Sequence, residues 1–150
     1  MDEPYLGIFK KIAAEYDLDW RLLLEQAWRE SRWDARAVGK AGEYGLMQIH
    51  PATWKQWAAK LALDDPFDPE SNIRLAAAYW VWLDEQLEPE GYPERYWLLT
   101  AYNWGINNLL RLLKGGGVWE DLPPERREYA TEIILAAEVR AAQESAPPVE

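Results

Sequence analysis

ESNIRLAAAYWVWLDEQL, residues 70–87, is the stretch on which the fold class turns. It is strongly apolar through residues 76–83 and contains neither glycine nor proline, so it predicts one long helix. Asp68-Pro69 marks its start, because the residue before a proline is pushed out of the helical region. Pro89, Gly91 and Pro93 break it. Helical spacing continues outward on both sides. Residues 4–16 place Ile8, Phe9, Ile12, Ala13 and Tyr16 on one face. A second helix begins at a cap supplied by Asp17 or Asp19 and runs to about Trp33. Its stripe is Leu23, Leu24, Ala27, Trp28 and Ser31, with Glu30 beside it near the helix end. A third helix covers residues 51–61, two more cover 94–102 and the leucine-rich 109–113, and a last one covers 125–143. Residues 34–50, with Gly39, Gly42 and Gly45, read as a loop or a small irregular hairpin. No alternating strand and no fixed-period repeat stands out. The expectation is an all-α domain of about seven helices in one lobe over residues 1–144, with a frayed tail at 145–150.

Composition narrows the chemistry. Lys and Arg number 16 against 26 Asp and Glu, a net charge of −10, which argues against a duplex nucleic-acid binder or a polybasic membrane-surface protein. With no cysteine there is no disulfide framework, thiol nucleophile or Cys-based zinc site. His50 is the only histidine, which removes multi-histidine metal sites and disfavours a serine–histidine triad. Nothing implies a metal or an organic cofactor. No apolar run reaches the roughly eighteen residues of a membrane span, so membrane insertion is not expected. Met1-Asp2-Glu3-Pro4 lacks the basic start and apolar core of a secretory signal. The chain is therefore expected to be cytoplasmic as made, exported by another route, or trimmed. What remains is carboxyl and amide chemistry. Glycosidic cleavage suits that inventory, since it needs an acid for the leaving oxygen and a means of stabilising an oxocarbenium-like centre. The 10 Trp and 8 Tyr residues suit both a core and a sugar groove.

Four segments then carry a resemblance. Glu30-Ser31 is followed, after a gap of thirteen, by Gly45-Leu46-Met47-Gln48, with Pro51 three beyond. Asp68-Pro69-Glu70-Ser71-Asn72-Ile73 resembles a DPxxNI segment, Ala101-Tyr102-Asn103-Trp104-Gly105 an AYNAG motif, and Glu125 and Tyr129 a late ExxxY element. In this order, over about residues 20–135, they are similar to the soluble lytic transglycosylases, a family of peptidoglycan-cleaving enzymes with a lysozyme-like helical fold and a substrate cleft. The resemblance implies that Glu30 is the catalytic acid/base acting between N-acetylmuramic acid and N-acetylglucosamine. It implies that the muramoyl acetamido group assists and that the muramoyl O6 hydroxyl attacks, leaving a 1,6-anhydro end. The glutamic acid has to begin protonated, which apolar surroundings favour. Gln48, Tyr102 and Asn103 would line the cleft, and Tyr129 would approach the acid from the last helix. Met47, His50 and Trp104 complete the substrate-binding set, Trp104 as a sugar-stacking platform, with Trp33 and Tyr44 next.

Each residue also has a plainer reading. Glu30 alone would be a solvated helix glutamate. Gln48 and Asn103 would be buried amides closing a loop, Met47 core packing, His50 a cap on the helix at Pro51, and Ser31 a tie at a helix end. Glu125 has a sufficient dipole reason to stand in a first helical turn. Trp54, Trp57, Trp80, Trp82 and Trp97 sit at helical spacings and read as core. The chain also departs from the family pattern. Gly39 stands where many members carry a serine, Asp34 where asparagine is common, Ala35 where proline is, and His50 where methionine is frequent. Asp34, if the helix reached it, and Glu43 in the glycine-containing loop are the two possible second carboxylates. Three functional readings follow: a lytic transglycosylase, a muramidase hydrolysing the same bond, and a peptidoglycan-binding module without turnover. The partner expected in all three is the glycan strand at the cell wall, bound by a monomer.

Overall fold

The computed structural model describes residues 3–146. Its helices are α1 (Leu6–Tyr16), α2 (Trp20–Ser31), α3 (Pro51–Leu61), α4 (Pro69–Leu87), α5 (Arg95–Trp104), α6 (Ile106–Lys114) and α7 (Pro124–Ser145), with short 3-10 turns at Glu88–Glu90 and Trp119–Asp121. Among the described residues the only β pairing is two isolated bridges, Val38 with Tyr44 and Tyr44 with Ile49. The all-α expectation is met, and the 34–50 segment is the irregular hairpin-like loop. The helices of the expected single lobe group into two compact units, divided between Tyr79 and Trp80 inside α4.

In the first unit α1 packs on α2. Phe9, Ile12, Leu23, Leu24, Leu46 and Ile73 are fully buried there. Asp19, not Asp17, caps α2, its carboxylate accepting from the Arg21 N–H. Asp17 instead closes α1 in a left-handed conformation. The end of α2 differs from expectation. Arg32 and Trp33 both take left-handed φ, 55° and 61°, so the helix stops at Ser31 and Asp34 does not share the Glu30 face. The Asp34 carboxylate accepts from the Arg36 N–H in a turn of its own. Trp28 is not in the core stripe either. It is 42% exposed, with the Arg32 guanidinium 3.7 Å from its ring centre, while Leu22 and Gln26 are buried instead. Arg74 of α4 ties α1 to α4 through Glu15 and Glu70, and Lys11 reaches the same Glu70 at 2.8 Å. The Arg74 hydrogen bond holds the Glu15 carboxyl below its ordinary range. Lys11, then Arg74, do the same for Glu70.

In the second unit α5 packs on α6 and α7. Trp80, Leu83, Leu98, Leu99, Leu109 and Ala130 are buried there. Trp119 stands edge to face with both Tyr96 and Trp97, at centroid distances of 4.9 and 5.4 Å. Gly105, at φ 99°, makes the break between α5 and α6 that few other residues could make. Helix α7 takes in Ser145, the first residue of the expected tail; residues 147–150 lie outside the described residues. No described helix is long and apolar enough to cross a membrane.

Candidate active site

Glu30 is the penultimate residue of α2 and is half-buried. Its neighbour Ser31 is buried and anchors that end of the helix. The Ser31 hydroxyl donates in a shared bond to the Ala27 carbonyl (3.0 Å) and to the Leu46 carbonyl (2.9 Å). One hydroxyl thus closes the last turn of its own helix and reaches fifteen residues along the chain to the Gly45-Leu46-Met47-Gln48 segment.

That segment is a tight turn. Tyr44 and Ile49 exchange main-chain hydrogen bonds of 2.8 and 3.0 Å, and the Gln48 N–H returns to the Gly45 carbonyl at 3.1 Å. Gly45 and Gln48 both sit at left-handed φ, 69° and 48°. Asn72, from the first turns of α4, holds the turn from below and is 1% exposed. Its Oδ1 accepts from the Met47 N–H (2.8 Å), and its Nδ2 donates to the carbonyls of Tyr44 (2.8 Å) and Pro66 (2.9 Å). A buried amide with every bond directed at main chain is a fixed strut. Glycine is required at position 45 by more than its φ, because a Cβ there would stand 2.7 Å from Asn72 Nδ2.

The structure places the other expected residues of this unit as follows. Met47 is fully buried, so its side chain supports the turn from inside the core. The Gln48 amide nitrogen donates to the carbonyls of Gly45 (2.9 Å) and Ala37 (3.3 Å), which closes the loop and leaves its oxygen over Gly39. His50 is exposed and caps α3, its Nδ1 accepting from the Ala52 N–H at 3.1 Å. The Trp33 indole N–H is committed to the Leu24 carbonyl at 3.0 Å. The Tyr44 ring stands edge-on to Phe67 with centroids 5.5 Å apart. A groove of about 620 Å³ is bordered by Tyr5, Ala35, Arg36, Asp65, Phe67, Asp68 and Pro69, and none of the expected site residues lines it.

In the second unit, Tyr102, Asn103 and Trp104 form the last turn of α5, and all three are half-buried. Asn103 is held by Arg126 of α7, a residue that is not among the expected site residues. The Arg126 guanidinium donates to Asn103 Oδ1 at 2.7 Å and to the Asn103 carbonyl at 3.2 Å. Its only sequence signal was its place between Glu125 and Tyr129. Glu125 itself is exposed in the first turn of α7, and Tyr129 is buried at 3%. The Trp104 carbonyl accepts from the Asn108 side chain at 2.8 Å. Of the tryptophans read as core, Trp80 and Trp97 are buried, and Trp54, Trp57 and Trp82 are half-buried.

The sequence matches the family model described as "Transglycosylase SLT domain" over residues 7–117. Among curated proteins it is 36% identical over 119 residues to a membrane-bound lytic murein transglycosylase F of Actinobacillus succinogenes, covering 75% of this chain and 23% of the relative. It is 36% identical over 130 residues to the protein of the same name from Maricaulis maris, covering 79% and 27%. The chain thus spans about a quarter of the length of these relatives. Among solved structures, an inactive mutant of lytic transglycosylase Slt from Pseudomonas aeruginosa superposes with a TM-score of 0.78 at 22% identity, over 97% of this chain and 25% of that one. The 70-kDa soluble lytic transglycosylase SLT70 from Escherichia coli gives 0.76 at 21% identity, over 94% and 24%. The fold is that of the matched quarter of these proteins.

Proposed function

The chain belongs to the transglycosylase SLT domain family, and on that premise we propose that it is a peptidoglycan lytic transglycosylase. It cleaves the β-1,4 bond between N-acetylmuramic acid and N-acetylglucosamine with Glu30 as the single acid/base. The observation that carries this reading is the joining of three distant motifs at the end of the helix that bears Glu30. Ser31 binds the Leu46 carbonyl, Asn72 binds the Met47 N–H, and Glu30 stands next to Ser31 at the end of α2. A solvated helix glutamate needs no such frame.

In the proposed reaction Glu30 gives its proton to the glycosidic oxygen as the bond from that oxygen to the muramoyl C1 breaks. The acetamido carbonyl of the same sugar supports the electron-poor C1. The O6 hydroxyl then attacks C1 and returns its proton to Glu30, so no water is consumed and a 1,6-anhydro ring closes. The attacking groups belong to the reacting sugar, so their effective concentration is very high and no enzyme nucleophile is needed. The acid has to start neutral. Glu30 is half-buried at the C-terminal end of α2, beside the buried Ser31.

Gln48, Tyr102, Asn103, Trp104 and Tyr129 bind or position substrate in this reading, with Met47 backing Gln48 and His50 offering an exposed ring beside the turn. The place of action is the cell wall and the partner is the glycan strand. The test is release of soluble fragments from purified sacculi. The wild-type chain clears the suspension, and Glu30→Gln, which keeps the shape but has no proton to give, lowers the rate at least a thousand-fold. Clearing by Glu30→Gln at the wild-type rate would remove Glu30 from the chemistry.

A further inference from the structure

Gly39 has an ordinary negative φ; it is absent from the positive-φ glycines, so backbone conformation does not require glycine there. Space does. A Cβ on Gly39 would lie 2.5 Å from Gln48 Oε1, 2.7 Å from Glu43 Oε1 and 2.9 Å from Glu43 Cδ. The missing side chain lets a carboxylate and an amide oxygen converge over one point. We propose that these two oxygens form an acceptor clamp that receives hydroxyl or acetamido N–H donors of the N-acetylated sugar, making Glu43 a substrate-binding residue of this chain. The inference rests on the glycan reading given above.

Orientation follows from the hydrogen bonds. Both Gln48 Nε2 bonds run to main-chain carbonyls, of Gly45 and Ala37, so the amide cannot flip without losing them, and Oε1 is turned to Gly39. Among the described residues Gln48 Oε1 accepts no hydrogen bond. Glu43 is fixed as well. Its Oε1 accepts from the Ala41 N–H at 2.7 Å, its own carbonyl accepts from the Gly39 N–H at 2.9 Å, and the Gly42 N–H donates to the Gly39 carbonyl at 3.0 Å. The carboxylate is thus presented on a closed loop with lone pairs to spare. Two electron-rich oxygens that border the same point repel each other, and a donor shared by both relieves that repulsion. Glu43 and Gln48 are both half-buried, so neither side chain is sealed from solvent. Sugar hydroxyls and amide N–H groups are the donors that an extended glycan supplies.

The test is steady-state kinetics on soluble peptidoglycan strands for the wild type, Glu43→Ala, Glu43→Gln and Gly39→Ser, with thermal melts of each. Glu43→Ala is expected to raise KM about ten-fold or more with kcat within about two-fold, and with Tm within about 3 °C of wild type. Glu43→Gln keeps one acceptor oxygen and is expected to recover part of the loss. Gly39→Ser is expected to raise KM because its side chain displaces both oxygens. An unchanged KM in Glu43→Ala would overturn the proposal. So would a KM rise matched by a large fall in Tm that Glu43→Gln fully restores, since that marks loop closure alone. If the wild type cleaves no strands, the glycan-cleavage reading fails, and the clamp is scored separately by tryptophan-fluorescence titration with a tetramer of N-acetylglucosamine. There, equal affinity for wild type and Glu43→Ala would overturn it, and a ten-fold weaker variant would support it.

Discussion

Replacing Asn72 by alanine removes the strut under the 45–48 turn, and the cost can be worked bond by bond. Three main-chain groups lose their partner: the Met47 N–H, the Tyr44 carbonyl and the Pro66 carbonyl. Each such bond contributes about 1 kcal/mol net. The Tyr44 carbonyl keeps the Ile49 N–H, so its loss is mild. The Met47 N–H is the severe case, because its 2.8 Å bond to Asn72 is buried and loss of a buried bond costs about 1–3 kcal/mol. The small void left behind adds to this. Together the expected destabilisation is about 3–5 kcal/mol, a large share of the roughly 5–15 kcal/mol by which a domain is stable. In urea the unfolding midpoint should fall by roughly 2 M with the slope unchanged, and Tm should fall by about 10 °C. Asn72→Asp keeps an oxygen for Met47 but turns a second oxygen toward two carbonyls, so it should be no better than alanine. A loss below about 1 kcal/mol in Asn72→Ala would refute the reasoning, because the turn would then be held by its own residues.

Other outcomes follow from the same geometry. Gly45→Ala combines a left-handed φ of 69° with a Cβ 2.7 Å from the Asn72 amide, and should cost about 2 kcal/mol or more in the same urea titration. Arg126→Met releases both Asn103 oxygens and should lower kcat/KM about ten-fold while shifting Tm by only a few degrees; activity within two-fold of wild type would contradict this. Glu15 and Glu70 have carboxyls held below the usual 4.5, so their contribution to stability is present above that value and is lost as pH falls through the lower folded values. The Tm gap between wild type and Arg74→Met should therefore be widest near neutral pH and close in acid. A gap of constant size down to about pH 3 would contradict the assignment.

How much was legible in the sequence depends on how local the cause is. Helix α3 is found at its expected bounds because Pro51 suits a first helical position and His50 caps it, both readable over a few residues. The end of α2 is not legible in the sequence, because Arg32 and Trp33 adopt left-handed φ without a glycine to announce it. The spacing of Trp28 fits the core stripe, yet its ring lies outside under the Arg32 guanidinium. The motifs located the candidate site, but their partners were not legible. Ser31 reaches Leu46, Asn72 reaches Met47, and Arg126 reaches Asn103, across 15, 25 and 23 residues of sequence. The convergence of Glu43 and Gln48 over Gly39 is set by the path of an irregular loop, to which no hydrophobic period corresponds.

The most direct test of the central claim is the mass of the fragments released from purified sacculi by the wild-type chain and by Glu30→Gln. The account predicts muropeptides one water lighter than their reducing-end counterparts, formed by the wild type and absent with Glu30→Gln. Fragments carrying free reducing ends at the full hydrated mass would contradict it, because O6 would not then be the attacking group and water would have entered the reaction.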